Sequence, residues 1–193
     1  MGDYDRGLGV LRQLGGVDRP AVLELFRRVN AEDFGAEAVA FVYGGVYQRP
    51  GLSLPQRQLI TVSALTALGF AAAQLRFHLT AARNVGCSVR QLRDTLHLVA
   101  ATLGSPTVTS VAEAAAAELD GDGPALDGTD RHLVLLSAHT ALGGVAPQVR
   151  EHAWALRAAG EGRAAVEAIL HLAIYAGFPA ALNALTLVAS DGE

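Results

Sequence analysis

With 193 residues the chain has room for one domain of ordinary size, or for two small units sharing a core. Its net charge of −4 and the lack of any basic run exclude an electrostatic footprint for nucleic acid, and its 15 basic residues are all arginine, which excludes lysine Schiff-base chemistry. Apolar residues make up 51% but aromatics only 6%, so Ala, Leu and Val carry the core, a composition that favours closely packed helices.

In chain order, residues 1–52 read as two lead-in helices, one capped by Asp18 with Pro20 in its first turn. The opening MGDYDRGLGV has no apolar signal-peptide core, and no apolar run nears the roughly 18 residues of a membrane span, so a soluble cytoplasmic protein without membrane partners is expected. Ser53 and Gln56 have capping-box spacing with Pro55 between them, which predicts a helix to about Leu68, stopped by Gly69. A second helix is expected from about Ala71 to Val85, ended by Gly86. Ser88 and Gln91 repeat the capping pattern, and Leu92, Leu96, Val99 and Leu103 follow as an apolar stripe. Pro106 opens a helix to about Leu119. The turn-rich GDGPALDGT, 121–129, reads as a linker. Helices over 131–142, 146–159, 164–176 and 179–189 complete an all-α chain.

The later helices copy the earlier ones. A shift of 74 residues brings 57–97 onto 131–171 with 17 identities in 41 ungapped positions, including ALTALG against AHTALG and QLRFH (74–78) against QVREH (148–152). The chain therefore divides into a lead-in (1–52), a first unit (53–120), the linker (121–129) and a second unit (130–193), packed with pseudo-twofold symmetry. Neither unit is large enough to bury both faces of its helices alone. In each copy Gln and His stand at i and i+4 on one helix face, so Gln74 and Gln148 are placed to orient His78 and His152 for proton transfer. His97 and His171 also repeat, each flanked by leucines, and read as core or pocket wall. His132 and His139 fall opposite Gln58 and Leu65 and read as individual to their copy. The Gln–His pairs offer no carboxylate or second imidazole at helical ligand spacing, so no metal is expected. The lone Cys87 rules out an internal disulfide and reads as structural.

RPGLSLPQRQLITVSALTALG, QLRFHLTAARNVGCS and IYAGFPAALNAL resemble the carboxymuconolactone decarboxylase family, which shares its helical fold with alkylhydroperoxidase D. The resemblance covers about 35–119 and again 130–190. It implies a helical ring-former, here a homotrimer of two-unit chains or, second, a dimer. It implies a site built on His78 or His152, with Arg49 and Tyr175 as groups that contact substrate. The sequence departs from the family in specific places. Gly45 stands where the decarboxylase pattern has glutamate. The YCGxP motif reads Tyr175-Ala176-Gly177-Phe178-Pro179 in one copy and Thr102-Leu103-Gly104-Ser105-Pro106 in the other, without its thiol. The CxxCxxxH of the peroxidase branch is replaced by Ala71, Gln74, His78 and by Val145, Gln148, His152, which removes both redox thiols. The expectation is a cofactor-free lyase- or isomerase-type enzyme for a small oxygenated acidic or lactone-type metabolite, not a thiol peroxidase. The alternative is a non-catalytic ligand-binding or assembly protein of the same descent.

Overall fold

The computed structural model describes residues 2–18, 20–69 and 73–190. Among these, eleven α-helices run in order: α1 (Asp3–Gly15), α2 (Ala21–Arg28), α3 (Glu32–Val39), α4 (Leu54–Ala67), α5 (Ala73–Asn84), α6 (Val89–Leu103), α7 (Pro106–Ala117), α8 (Gly128–Ala141), α9 (Pro147–Ala158), α10 (Gly162–Leu172) and α11 (Gly177–Ala189). The described residues contain no strand. The expected start of α5 at Ala71 lies outside them.

The capping boxes form as read. Ser53 accepts from the Gln56 amide and Ser88 from the Gln91 amide, and each glutamine side chain returns to its serine's backbone N–H. Two free amides at each helix start are thereby satisfied. The apolar stripe of α6 is core, with Leu92, Leu96 and Val99 wholly buried.

The lead-in differs from expectation. It holds three α-helices, then a π-helical turn at Ala40–Gly45 and a 3₁₀ turn at Val46–Gln48. Pro20 sits at the N-cap of α2 rather than within its first turn, and the carbonyl of Asp18 serves Arg12 instead of the side chain capping the helix. Two glycines explain how α1 lies so close to the π-turn. A Cβ on Gly44 would overlap the Asp3 carbonyl, and one on Gly7 would overlap the Val39 carbonyl.

α4 and α8 form the centre of the molecule and pack along one another. Residues 57–67 of α4 are buried on every side, so this helix has no solvent face. Ser63 pins the pair by donating to the Val134 carbonyl at 2.7 Å. Around this axis the contacts are reciprocal: α6 packs on α4 and reaches α8, while α10 packs on α8 and reaches α4. That exchange of third helices is the expected pseudo-twofold arrangement. It also carries side chains of the second unit into the first. The symmetry breaks at the lead-in, where α1 packs on α5.

Cys87 is buried, and its Sγ lies 3.5 Å from the Pro55 carbonyl. Burial, then the nearby Asp130 carboxylate, pushes the thiol up to about 12. A thiol that stays protonated is a poor nucleophile. Native protein at pH 8 should react with iodoacetamide far more slowly than protein unfolded in guanidinium, as read by mass spectrometry. Equal rates would contradict a structural thiol.

Candidate active site

The most polar part of the interior lies beside α4, where the first unit meets α10. Gln58, fully buried, links two aromatic partners. Its Oε1 is 2.9 Å from His78 Nδ1 on α5, and its Nε2 donates to the Tyr47 hydroxyl at 3.0 Å. Since Oε1 only accepts, Nδ1 carries the proton and Nε2 keeps its lone pair. Nε2 has no partner among the described residues. Tyr47 comes from the 3₁₀ turn, and its hydroxyl meets that of Tyr175 at 3.1 Å. The Tyr175 ring stands edge-on to His78 at 5.5 Å between centroids.

A second strand of the network fixes His171, which is wholly buried on α10. Thr61 Oγ1 donates to the Arg57 carbonyl at 2.9 Å, so its 3.0 Å contact with His171 is a bond donated by Nε2–H. Nδ1 is then free to accept from Arg57 Nη1 at 3.4 Å. Arg57 is itself wholly buried; it donates to the Arg49 carbonyl at 2.6 Å and lies 5.8 Å from the Tyr47 ring centre. Burial lowers its pKa, and the same cause drives His171 well below the ordinary histidine value, with the Arg57 charge second. Burial also raises Tyr47 and Tyr175, so both phenols stay protonated.

His78 has a different outlook. It is 4% exposed and lines a cleft of about 360 Å³ together with Tyr43, Gln74, Phe77 and Leu11. Burial pushes its pKa down to about 4. At pH 7 it is therefore a neutral imidazole, oriented by Gln58, with a free nitrogen.

The other expected site residues are distributed unevenly. Gln74 is exposed; it lines the His78 cleft, but the glutamine that holds the ring is Gln58. Gln148 is likewise exposed, and His152 Nδ1 faces His132 Nδ1 at 3.4 Å. Arg49 is engaged in an ion pair. Glu167, 1% exposed, takes its guanidinium at 2.6 and 2.9 Å and also binds Arg163. Burial pushes the Glu167 carboxyl up, but the two arginines outweigh it and hold the group below its usual range. His97 departs from the core reading: it is exposed, whereas its counterpart His171 is buried. The difference is the lead-in, since the Tyr47 ring lies 4.9 Å from His171.

In the second unit His152 packs between two histidines of α8, with ring centres 5.5 Å from His132 and 5.9 Å from His139. Burial lowers both His139 and His152, and His139 Nε2 is buried with no hydrogen-bond partner. No group of three or more His, Cys, Asp or Glu placed to hold a metal occurs among the described residues.

Sequence reading missed Gln58, Tyr47, Thr61 and Arg57. A signal for Gln58 existed. The 74-residue shift pairs it with His132, and the two hold the same place, each opposite the repeated histidine of its own copy.

No curated protein matches the chain. A family model does match it twice in tandem, over residues 32–118 and 114–190, which spans most of both helical units. The chain belongs to the carboxymuconolactone decarboxylase family.

Proposed function

We propose that the protein is a cofactor-independent enzyme of lyase or isomerase type, and that His78 in the first unit moves the proton. The observation that carries this reading is the imidazole itself: buried, fixed by Gln58 through Nδ1, and lining a cleft beside an unpartnered Nε2. Such a group is a ready but weak base, suited to an acidic proton such as one beside a carbonyl or lactone carbonyl. An anionic substrate strengthens it on arrival, because a nearby negative charge favours the imidazolium. The Tyr47–Tyr175 pair packs protonated phenols against the ring from the interior, and Tyr43, whose phenol burial also keeps protonated, lines the cleft itself. Gln74 stands at the cleft wall as a substrate contact. His152 and Gln148 belong to a copy in which His132 and His139 crowd the ring, and they are assigned no turnover of their own.

The test is proton transfer itself. The protein is incubated in D₂O with a panel of small lactone carboxylates and keto acids, followed by NMR for deuterium entry, double-bond migration or loss of CO₂. Catalysed exchange in any panel member supports the reading. No acceleration over buffer across the panel favours a non-catalytic binding protein.

We also propose a homotrimer, with a dimer as the second choice. Supporting it are Val145, Phe178 and Leu182, all more than half exposed at the α8–α9 turn and on α11. Asn183 ties that turn to α11 by donating to the Gly143 carbonyl, so these side chains lie close together. Light scattering should give about 60 kDa, three chains of 20.0 kDa. A 20.0 kDa particle at micromolar concentration would rule out both assemblies.

A further inference from the structure

The cleft that His78 lines is only partly made of family material. The family match begins at residue 32, yet α1 and α2 precede it and form one whole wall of the cleft through Leu11, Val22, Leu25 and Arg28. α2 is unusual in having no buried residue although it is strongly amphipathic. Val22 and Leu25 are a turn apart on one face and remain 40% and 50% exposed, because that face meets the cleft. An apolar helix face turned to a cleft that also holds Phe77 fits a ligand with an apolar body.

Among the described residues, Arg28 is the charged side chain on this lining. Its neighbour Glu24 is engaged by Arg27 at 2.6 and 2.9 Å, and Arg28 has no hydrogen bond or ion pair among the described residues. Arg49, the cation the family resemblance offers for a carboxylate, is held by Glu167. An anion entering beside His78 therefore meets Arg28. Arginine's planar fork suits a carboxylate in two-point contact.

We propose that the helices ahead of the family unit form the selectivity wall of the His78 cleft. Arg28 binds the carboxylate of an amphipathic monoacid, and its apolar body lies along Val22, Leu25 and Phe77. The identification of this acid as substrate rests on the catalytic reading of His78; its binding does not.

The experiment is calorimetry at pH 7 on the full chain, with octanoate and cinnamate as acids and 1-octanol and cinnamyl alcohol as matched neutral probes. The acids should bind more tightly than the alcohols. Arg28→Gln should weaken the acids about ten- to hundredfold and leave the alcohols within about twofold, the loss expected for a charged hydrogen-bonded contact. Arg28→Lys, which keeps the charge, should retain part of the preference. Leu25→Asn, which removes apolar surface without adding charge, should weaken acids and alcohols alike. Equal binding of acid and alcohol, an unchanged acid affinity in Arg28→Gln, or no binding of either class would each overturn the proposal. The two readings fail separately. Acid binding that depends on Arg28, without proton exchange in any panel acid, removes the catalytic reading alone. Exchange whose KM is unmoved by Arg28→Gln removes the Arg28 assignment alone.

Discussion

Replacing His78 with asparagine should slow proton transfer about 10²–10⁴-fold, the usual contribution of a positioned acid–base group. Folding should change little. The asparagine amide can place an N–H near the position of Nδ1, so the bond to Gln58 Oε1 has a successor. What disappears is the second nitrogen, the lone pair at Nε2. Rate and stability are thus separated in one substitution. The loss should fall on kcat rather than KM, because the imidazole acts on the reacting proton and Arg28 holds the acid. His152→Asn should leave kcat within a few-fold, since that ring is packed between His132 and His139. Full activity in His78→Asn, with deuterium exchange at the parent rate, would end the claim that this histidine is the base.

The gradient of legibility along the chain follows from how local each signal is. The caps of α4 and α6 were readable because Ser and Gln three apart satisfy backbone groups within the same turn. The packing of the two units on one another was readable because each is too small to bury its helices alone; that α4 and α8 form the seam comes from the structure. Gln58 is not legible from spacing, since its partner lies 20 residues away on another helix, and i, i+4 geometry points to Gln74 instead. The i+4 rule fixes which residues are neighbours on a helix; it does not fix which face turns inward. Tyr47 was invisible for a related reason. It belongs to a π- and 3₁₀-helical stretch without the regular spacing that marks a helix face. Arg49 shows a different limit: a motif residue with an expected ligand has an ion-pair partner in Glu167, 118 residues further along, which no spacing rule reveals. His97 and His171 share a Leu-His-Leu context yet are opposite in burial, because Tyr47 of the lead-in packs on His171 of the second unit.

Acid should unfold this protein earlier than its carboxylates alone would require. Burial holds His78 near 4, against an ordinary value of 6.5 in the unfolded chain. Between those values the unfolded state binds the extra proton, so stability rises with pH and falls as pH drops from about 6.5 toward 4. A difference of that size is worth about 3 kcal/mol when fully developed. His171, lowered well below its ordinary value, acts in the same direction, as do His139 and His152. The groups facing these rings do not reverse the sign. Arg57 beside His171 opposes a second positive charge, while Glu151 only partly offsets the burial of His139 and His152. Glu167 adds a further loss at lower pH, since its folded carboxyl lies below the usual range and its stabilising charge vanishes as pH falls through it. Asp130 works the other way: burial raises its carboxyl, so the folded state holds that proton more readily than the unfolded chain. Urea unfolding at pH 7.5, 6.5, 5.5 and 4.5 should therefore show a falling midpoint, with most of the drop below 6.5. His78→Asn, which has no imidazole to protonate, should flatten that dependence by up to about 3 kcal/mol while melting near the parent value at pH 7.5. A midpoint that stays level from 7.5 to 4.5, or a variant with the parent's full acid sensitivity, would show that His78 is not held neutral by burial.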